Sequence, residues 1–85
     1  MTRALRAVDP RGESYIKLGR AIRALRAERG ISQEELAARS GMDRSYFSSI
    51  ERGERGVSLG KVLDVAEALG VPASELIRRA EEAAG

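Results

Sequence analysis

The sequence predicts an all-α fold in which five short helices form one small domain. Two observations lead to this prediction. Apolar residues recur at helical spacing in segments that glycines separate, and Ser or Asp residues able to cap a helix stand where several of these segments begin. Alternating patterns typical of strands are almost absent. With 85 residues, the chain is long enough for one hydrophobic core.

The first two predicted helices meet at Gly30. The first covers residues 15–29 and ends at that glycine. Its apolar stripe, at i, i+3, i+4 and i+7, consists of Leu18, Ala21, Ile22 and Leu25. The second begins with a capping box, in which the Ser32 hydroxyl accepts a hydrogen bond from the Glu35 amide. It is short, because Gly41 interrupts it.

The third predicted helix has an unusually polar outer face. Asp43 is a good N-cap, Phe47 and Ile50 form the inward face, and Gly53 ends the helix. The polar residues that cannot all be buried are Arg44, Ser45, Tyr46, Ser48 and Ser49. The tight joint at Gly41 makes the second and third helices cross at a large angle, so that this row projects outward. Such a row on a short rigid helix suits the major groove of DNA.

Two further helices complete the predicted domain. The fourth begins at Ser58 and ends at Gly70, and the fifth runs from Pro72 toward Ala80. The expected inward residues of the fourth are Leu59, Val62, Leu63, Ala66 and Leu69. We expect a separate basic arm at residues 1–13, the domain itself at residues 14–80 and a fraying tail at residues 81–85.

The composition argues against catalysis and metal binding. The chain has no Cys, which excludes disulfides and thiolate metal sites, and no His, which removes the commonest metal ligand and the usual general base. We therefore expect no enzyme activity, catalytic residue, metal, cofactor or small-molecule ligand. Apolar runs fall far short of the roughly 18 residues of a membrane span, and no export signal is evident. We expect no membrane partner and a cytoplasmic location.

Charge is distributed unevenly along the chain. The formal charge is +5 for residues 1–30, −1 for residues 31–56 and −2 for residues 57–85. A positive end favours an anionic partner. A solvated Arg-rich helix face would give the same count, so the charge alone leaves both interpretations open.

The sequence resembles the Cro/CI-type (XRE) helix-turn-helix family of small DNA-binding regulators. The resemblance covers roughly residues 17–77 and rests on three segments: LGRAIRALRAERGISQEELAARSGM, DRSYFSSIERGER and SLGKVLDVAEALGV. It implies a compact lambda-repressor-like fold with the helix-turn-helix at the second and third helices. It also implies a sequence-specific transcriptional regulator of double-stranded DNA, a repressor or an activator, whose third helix enters the major groove.

The chain size and the IERG-x-R ending at residues 50–55 also resemble the controller proteins of restriction–modification systems, which implies control of such genes. Phage repressors, antitoxin-type regulators and housekeeping regulators share most of the pattern, so this narrower assignment stays open. Gly56-Val57 stands where many family members have Asn-Pro. This departure predicts a more mobile loop after the third helix.

Three residues of the third helix are candidate base readers. Arg44 can bond both O6 and N7 of guanine, the commonest specific contact in DNA recognition. Ser45 beside it is a short, less selective reader, and Ser49, one turn further along, is expected to reach an adjacent base. Asp43 is expected to act as a cap, because its carboxylate would be repelled by phosphates unless it met a cytosine amine.

Five other residues are candidate phosphate contacts: Gln33, Tyr46, Ser48, Arg52 and Arg55. Gln33 stands at the start of the second helix, where free amides favour an anion, although an inert surface Gln would look the same. The Tyr46 ring could instead pack on the second helix, and Arg52 could simply complement the helix dipole. In the arm, the cations that could follow the backbone or enter a minor groove, or remain without a role, are Arg3, Arg6 and Arg11.

The family resemblance implies two further features. One is an ion pair between Arg26 and Glu51, which would tie the first helix to the third. The other is a twofold homodimer on an inverted repeat, with recognition helices about 34 Å apart. Candidate dimer residues, left over once the core is filled, are Val71, Ala73, Leu76, Ile77 and Ala80. Alternatively, the last helix only caps the core of the monomer.

A second function of another class is also compatible with five helices. The chain could be a helical protein-interaction or antitoxin-like module without sequence-specific DNA binding. The polar tip of the third helix discriminates between the two, because an interaction face should be aromatic or apolar and this tip is rich in Arg and Ser.

Overall fold

The computed structural model describes residues 13–83, and within them it contains helices but no strand. The five helices are α1 (Glu13–Glu28), α2 (Gln33–Arg39), α3 (Arg44–Glu51), α4 (Leu59–Leu69) and α5 (Ala73–Glu82). This order confirms the predicted all-α fold. The first helix starts at Glu13 rather than Tyr15, and the last continues past Ala80 to Glu82. The predicted arm up to residue 12, with Arg3, Arg6 and Arg11, lies outside the described residues.

Side-chain caps begin the three middle helices. The Ser32 hydroxyl accepts a hydrogen bond from the Glu35 amide at 3.0 Å, and the Asp43 carboxylate accepts one from the Ser45 amide at 2.8 Å. The Ser58 hydroxyl accepts one from the Lys61 amide at 3.2 Å. Each cap satisfies an amide that the helix itself leaves without a partner. The helix starts are therefore fixed by local chemistry that is readable in the sequence.

One hydrophobic core joins all five helices. Its largest fully buried side chains are Ile22, Leu25, Leu36, Phe47, Ile50, Val65 and Leu76. Burial of each such side chain contributes about 1.5–3 kcal/mol of transfer free energy. The prediction that Leu59 and Leu63 point inward is wrong, because they are 70% and 48% exposed. Val62, Ala66 and Leu69 face the core as predicted, and Val65, which the prediction left out, joins them.

The helix α5 closes the core against α1 and α4. Leu76 inserts into the core and is 1% exposed. Its assignment to a dimer face is therefore wrong, because packing within the monomer already buries the side chain. Above it, Arg79 binds both carboxylate oxygens of Glu28 on α1 at 2.9 Å and also contacts Glu75 at 3.1 Å. The hydrogen bonds from Arg79 lower the pKa of the Glu28 carboxyl below its ordinary value.

The backbones of α1 and α3 touch at Gly19. A Cβ at this position would overlap the carbonyl oxygen of Glu51 and lie 2.8 Å from that of Ile50. Only glycine leaves room for the two helices to approach so closely. This contact sets the position of the C-terminal end of α3 relative to α1.

We expect Gly19→Ala to lower the free energy of unfolding by about 1–3 kcal/mol, because α1 and α3 must separate to admit the methyl group. Gly60→Ala is the matched control, since Gly60 is also helical but a Cβ there meets nothing closer than 3.9 Å. That variant should gain about 0.5–1 kcal/mol from helix propensity. Urea unfolding measures both, and equal stability of the two variants would contradict the close packing described.

Candidate nucleic-acid interface

The joint between α2 and α3 is a short turn through residues 40–43. Gly41 adopts a φ of +71°, in the left-handed region that side chains with a Cβ rarely occupy. Met42 then folds back, donating its amide to the Ala37 carbonyl at 2.9 Å and burying its side chain. The hydrogen bond and the buried side chain of Met42 anchor the turn, and with it the start of α3, on α2. The predicted helix–Gly–helix unit is present at this point of the chain.

The outer face of α3 forms an open cleft rich in hydrogen-bond donors. Its volume is about 280 Å³, and the lining residues are Arg44, Ser45, Ser48 and Arg52. Arg44 and Ser45 are exposed, as predicted for the tip of the helix. Among residues 13–83, no carboxylate lies within ion-pair distance of Arg44. Its guanidinium keeps its full donor set for a partner.

Arg52 differs from Arg44 because it already has an anionic partner. Its Nε and Nη2 donate to the two carboxylate oxygens of Glu54 at 2.8 and 3.1 Å. Its Nη1 donates to the Ser48 hydroxyl. The hydrogen bonds from Arg52 lower the pKa of the Glu54 carboxyl. A phosphate at this end of the cleft would compete with Glu54 for the guanidinium.

Ser49 lies on the inner side of α3, contrary to its prediction as a base reader. It is 6% exposed, and its hydroxyl donates to the Tyr46 carbonyl at 2.6 Å. Its donor is therefore satisfied inside the helix, on the side that also buries Phe47 and Ile50. The exposed polar row of α3 is shorter than the sequence predicted and ends before this residue.

Tyr46 is not among the residues that line the cleft, and its side chain is partly buried against the core. The Arg55 guanidinium carbon lies 4.9 Å from the centroid of its ring. The Lys61 ammonium nitrogen lies 5.7 Å from the same centroid. Lys61 was not predicted as a contact, because only the fold brings the first turn of α4 beside α3. The sequence did indicate, through the Ser58 cap, that Lys61 lies in the first turn of a helix.

The loop before α4 is supported by a contact with α1. A Cβ on Gly56 would lie 2.6 Å from the Tyr15 hydroxyl oxygen and 2.7 Å from Cζ of its ring. Glycine in place of the Asn found in many family members therefore makes room for the Tyr15 side chain. The prediction of a more mobile loop did not take this contact into account. Arg55 lies immediately before this contact, so its backbone is placed by it.

A buried carboxylate, Glu51, sits behind the cleft at the end of α3. It is 2% exposed, so its charge must be compensated within the protein. Arg26 of α1 supplies the predicted ion pair, with Nε 2.8 Å from Oε2 and Nη2 3.0 Å from Oε1. The Gln33 amide nitrogen donates to Oε1 at 2.9 Å, and the Arg23 guanidinium donates to the Glu51 carbonyl at 3.4 Å. One carboxylate thus joins α1, α2 and α3.

The described residues offer few other kinds of site. Within residues 13–83, no group of three or more His, Cys, Asp or Glu side chains is placed to hold a metal ion. Over the same part of the chain, no helix is both long enough and apolar enough to cross a membrane.

Comparison with known proteins gives consistent matches. The family model described as helix-turn-helix matches residues 22–76. Control protein C.MunI from Mycoplasma sp is 41% identical over 68 residues, which are 79% of this chain and 92% of the relative. The restriction–modification controller protein C.AhdI from Aeromonas hydrophila is 48% identical with a TM-score of 0.71, covering 73% of this chain and 94% of that one. The clp gene regulator ClgR from Corynebacterium glutamicum is 33% identical with a TM-score of 0.79, covering 85% and 77%.

We expect Glu51→Ala to lower the free energy of unfolding by about 3–5 kcal/mol, because Arg26 would be left without its partner in a partly buried position. Glu54→Ala is the matched control, since it removes a carboxylate from the exposed pair with Arg52 and should leave the melting temperature nearly unchanged. Thermal unfolding at pH 7 measures both. A melting temperature for Glu51→Ala equal to that of the parent would rule out a structural role for the pair.

Proposed function

Because the chain belongs to the helix-turn-helix family of DNA-binding transcriptional regulators, we propose that it binds an inverted-repeat operator as a homodimer, with α3 in the major groove. The observation that carries this proposal is the cationic, hydroxyl-rich tip of α3, which is exposed at Arg44 and Ser45. Since DNA is the partner, we place the action of the protein on nucleoid DNA in the cytoplasm.

Arg44 is proposed as the principal base reader. Its guanidinium presents a planar fork of donors that matches O6 and N7 of guanine. The side chain is exposed and engaged by no carboxylate of the described residues, so it can extend into the groove. Ser45, next to it, is proposed as a second and less selective contact, because a hydroxyl both donates and accepts.

Ser48, Arg52 and Gln33 are proposed to contact phosphates around the tip. Ser48 and Arg52 line the same cleft as the base readers. Gln33 donates one hydrogen bond from its amide group to Glu51, and the second hydrogen of that group can be donated to a phosphate oxygen. A phosphate held by Gln33 would then be placed relative to the carboxylate that fixes α3.

The genes under control are proposed to be those of a restriction–modification system. Support comes from the names of relatives, since C.MunI is a control protein and C.AhdI a restriction–modification controller protein. Another relative is an immunity repressor protein of Bacillus phage phi105, and ClgR is a clp gene regulator. Selecting bound genomic fragments and identifying the neighbouring genes distinguishes these roles.

The dimer is proposed to form around α5. Val71, Ala73 and Ala80 are partly buried against the core, and Ile77 is 40% exposed. A single module reads only a short half-site, and a twofold pair of modules reads an inverted repeat. Exposed apolar surface at Ile77 suits an isologous contact, in which each side chain meets the same patch on the other copy.

Selection of bound duplexes from a random pool tests the DNA proposal. We expect inverted repeats to be enriched. Arg44→Ala should lose discrimination at one base position of each half-site, about 1–3 kcal/mol, whereas Arg55→Ala should weaken binding to all sequences alike. No enrichment, with equal weak binding to every duplex, would contradict the proposal and favour the protein-interaction alternative.

Sedimentation equilibrium of single-residue variants tests the dimer proposal. Ile77→Ser should raise the dimer dissociation constant roughly tenfold or more, because a twofold interface loses the side chain twice. Leu59→Ser is the matched control, since Leu59 is more exposed but belongs to the first turn of α4 and is not among the proposed dimer residues, so it should leave the constant unchanged. The reverse result would move the dimer interface to α4.

A further inference from the structure

The junction of α3 with α4 gathers cations that the proposed reading tip does not include. We propose that Arg55 and Lys61, both held over the ring of Tyr46, form a two-cation site for the phosphate backbone of a DNA strand, with Tyr46 as the positioning residue. This inference rests on the proposed function, since the phosphates belong to the duplex that α3 reads. It adds Lys61 to the proposed DNA contacts. It also attributes the role of Tyr46 to the aromatic ring rather than to the hydroxyl.

The geometry brings three separate elements to one ring. Tyr46 belongs to α3, Arg55 to the following loop and Lys61 to the first turn of α4. Both cations lie within the roughly 6 Å of a ring centroid over which a cation–π attraction operates, at 4.9 and 5.7 Å. Two charges that share one ring are close enough to act on the same short stretch of a strand.

Neither cation of this pair forms an ion pair among residues 13–83, although the Glu54 carboxylate, which Arg52 binds, also lies within the electrostatic reach of Arg55. Arg39, Arg52, Arg78 and Arg79 all pair with carboxylates. Among residues 13–83, neither Arg55 nor Lys61 has a carboxylate within ion-pair distance, and neighbouring Glu54 gives both of its oxygens to Arg52. Two like charges over one ring repel each other, and a bound phosphate would relieve this repulsion.

The backbone near each cation makes contacts with the rest of the protein. The Lys61 amide donates to the Ser58 hydroxyl at 3.2 Å, which holds the first turn of α4. Gly56 packs against Tyr15, which supports the loop directly after Arg55. The Tyr46 ring is itself partly buried against the core. Cations placed in advance lose less side-chain freedom when a phosphate binds.

Binding of the full chain to its selected duplex, followed by fluorescence anisotropy at several salt concentrations, tests the role of Lys61. Lys61→Gln should weaken binding about fivefold at physiological salt and reduce the slope of log K against log salt by about 1. Arg78→Gln is the control, since it removes the same charge from a side chain already paired with Glu75 and Glu82. It should change neither quantity.

Two variants of Tyr46 test the role of the ring. Tyr46→Phe keeps the ring and should bind like the parent within about twofold. Tyr46→Leu removes the ring and should weaken binding several-fold, with little further loss when Lys61→Gln is added. Equal weakening by Phe and Leu would overturn the positioning role and indicate a phosphate contact through the hydroxyl. Melting temperatures identify any loss of binding that is due to unfolding. If Tyr46→Leu does not fold, the double variant Tyr46→Phe with Lys61→Gln is used instead. It should bind like Lys61→Gln alone if the ring, and not the hydroxyl, of Tyr46 acts.

The outcomes separate this inference from the proposed function. If the parent binds its duplex and Lys61→Gln behaves like Arg78→Gln, the two-cation site is wrong and the proposed function stands. If the parent enriches no duplex at all, both are wrong. A reduced salt slope for Lys61→Gln alone supports the site.

Discussion

The arrangement of the first three helices depends on the compensation of one buried negative charge. Glu51 ends α3 with its side chain excluded from water, and a carboxylate in that position is costly unless other groups bind it. Arg26 of α1 and Gln33 of α2 bind this carboxylate. Gly19 allows the backbone of α1 to lie directly against the backbone carbonyl of Glu51. Together with the turn at Gly41, these contacts orient α3, and the exposed side chains of Arg44 and Ser45 take no part in them.

This division explains how a short helix can carry so many exposed polar groups. At eight residues, α3 would be marginal as an isolated helix, so its stability comes from Phe47, Ile50 and Glu51. Arg44 and Ser45 contribute almost nothing to the core and can be matched to a partner instead. The same separation applies beside α3, where the ring of Tyr46 packs inward and its surface carries Arg55 and Lys61.

The sequence predicted those features that local chemistry determines. The caps at Ser32, Asp43 and Ser58 marked the helix starts, and Arg44 and Ser45 at the start of α3 were correctly expected to be exposed. Errors arose where tertiary packing chooses between neighbouring stripes of one helix. Leu59 and Leu63 repeat at helical spacing as well as Val62 and Ala66 do, so the prediction placed both pairs inward, and only the second pair is buried.

Contacts between distant segments were beyond prediction for a different reason. Nothing in the order of residues indicates that Tyr15 lies against Gly56, or that Lys61 reaches the ring of Tyr46, because each contact requires the finished arrangement of helices. The resemblance to a known family supplied the pair of Arg26 and Glu51, which spacing alone would not have suggested.

The central claim is that α3 is held rigidly so that Arg44 and Ser45 enter the major groove. Intermolecular nuclear Overhauser effects between the isotope-labelled protein and its selected duplex test this most directly. The account predicts contacts from the side chains of both residues to protons on base edges of the major groove. Contacts confined to α5, with none from α3, would contradict it.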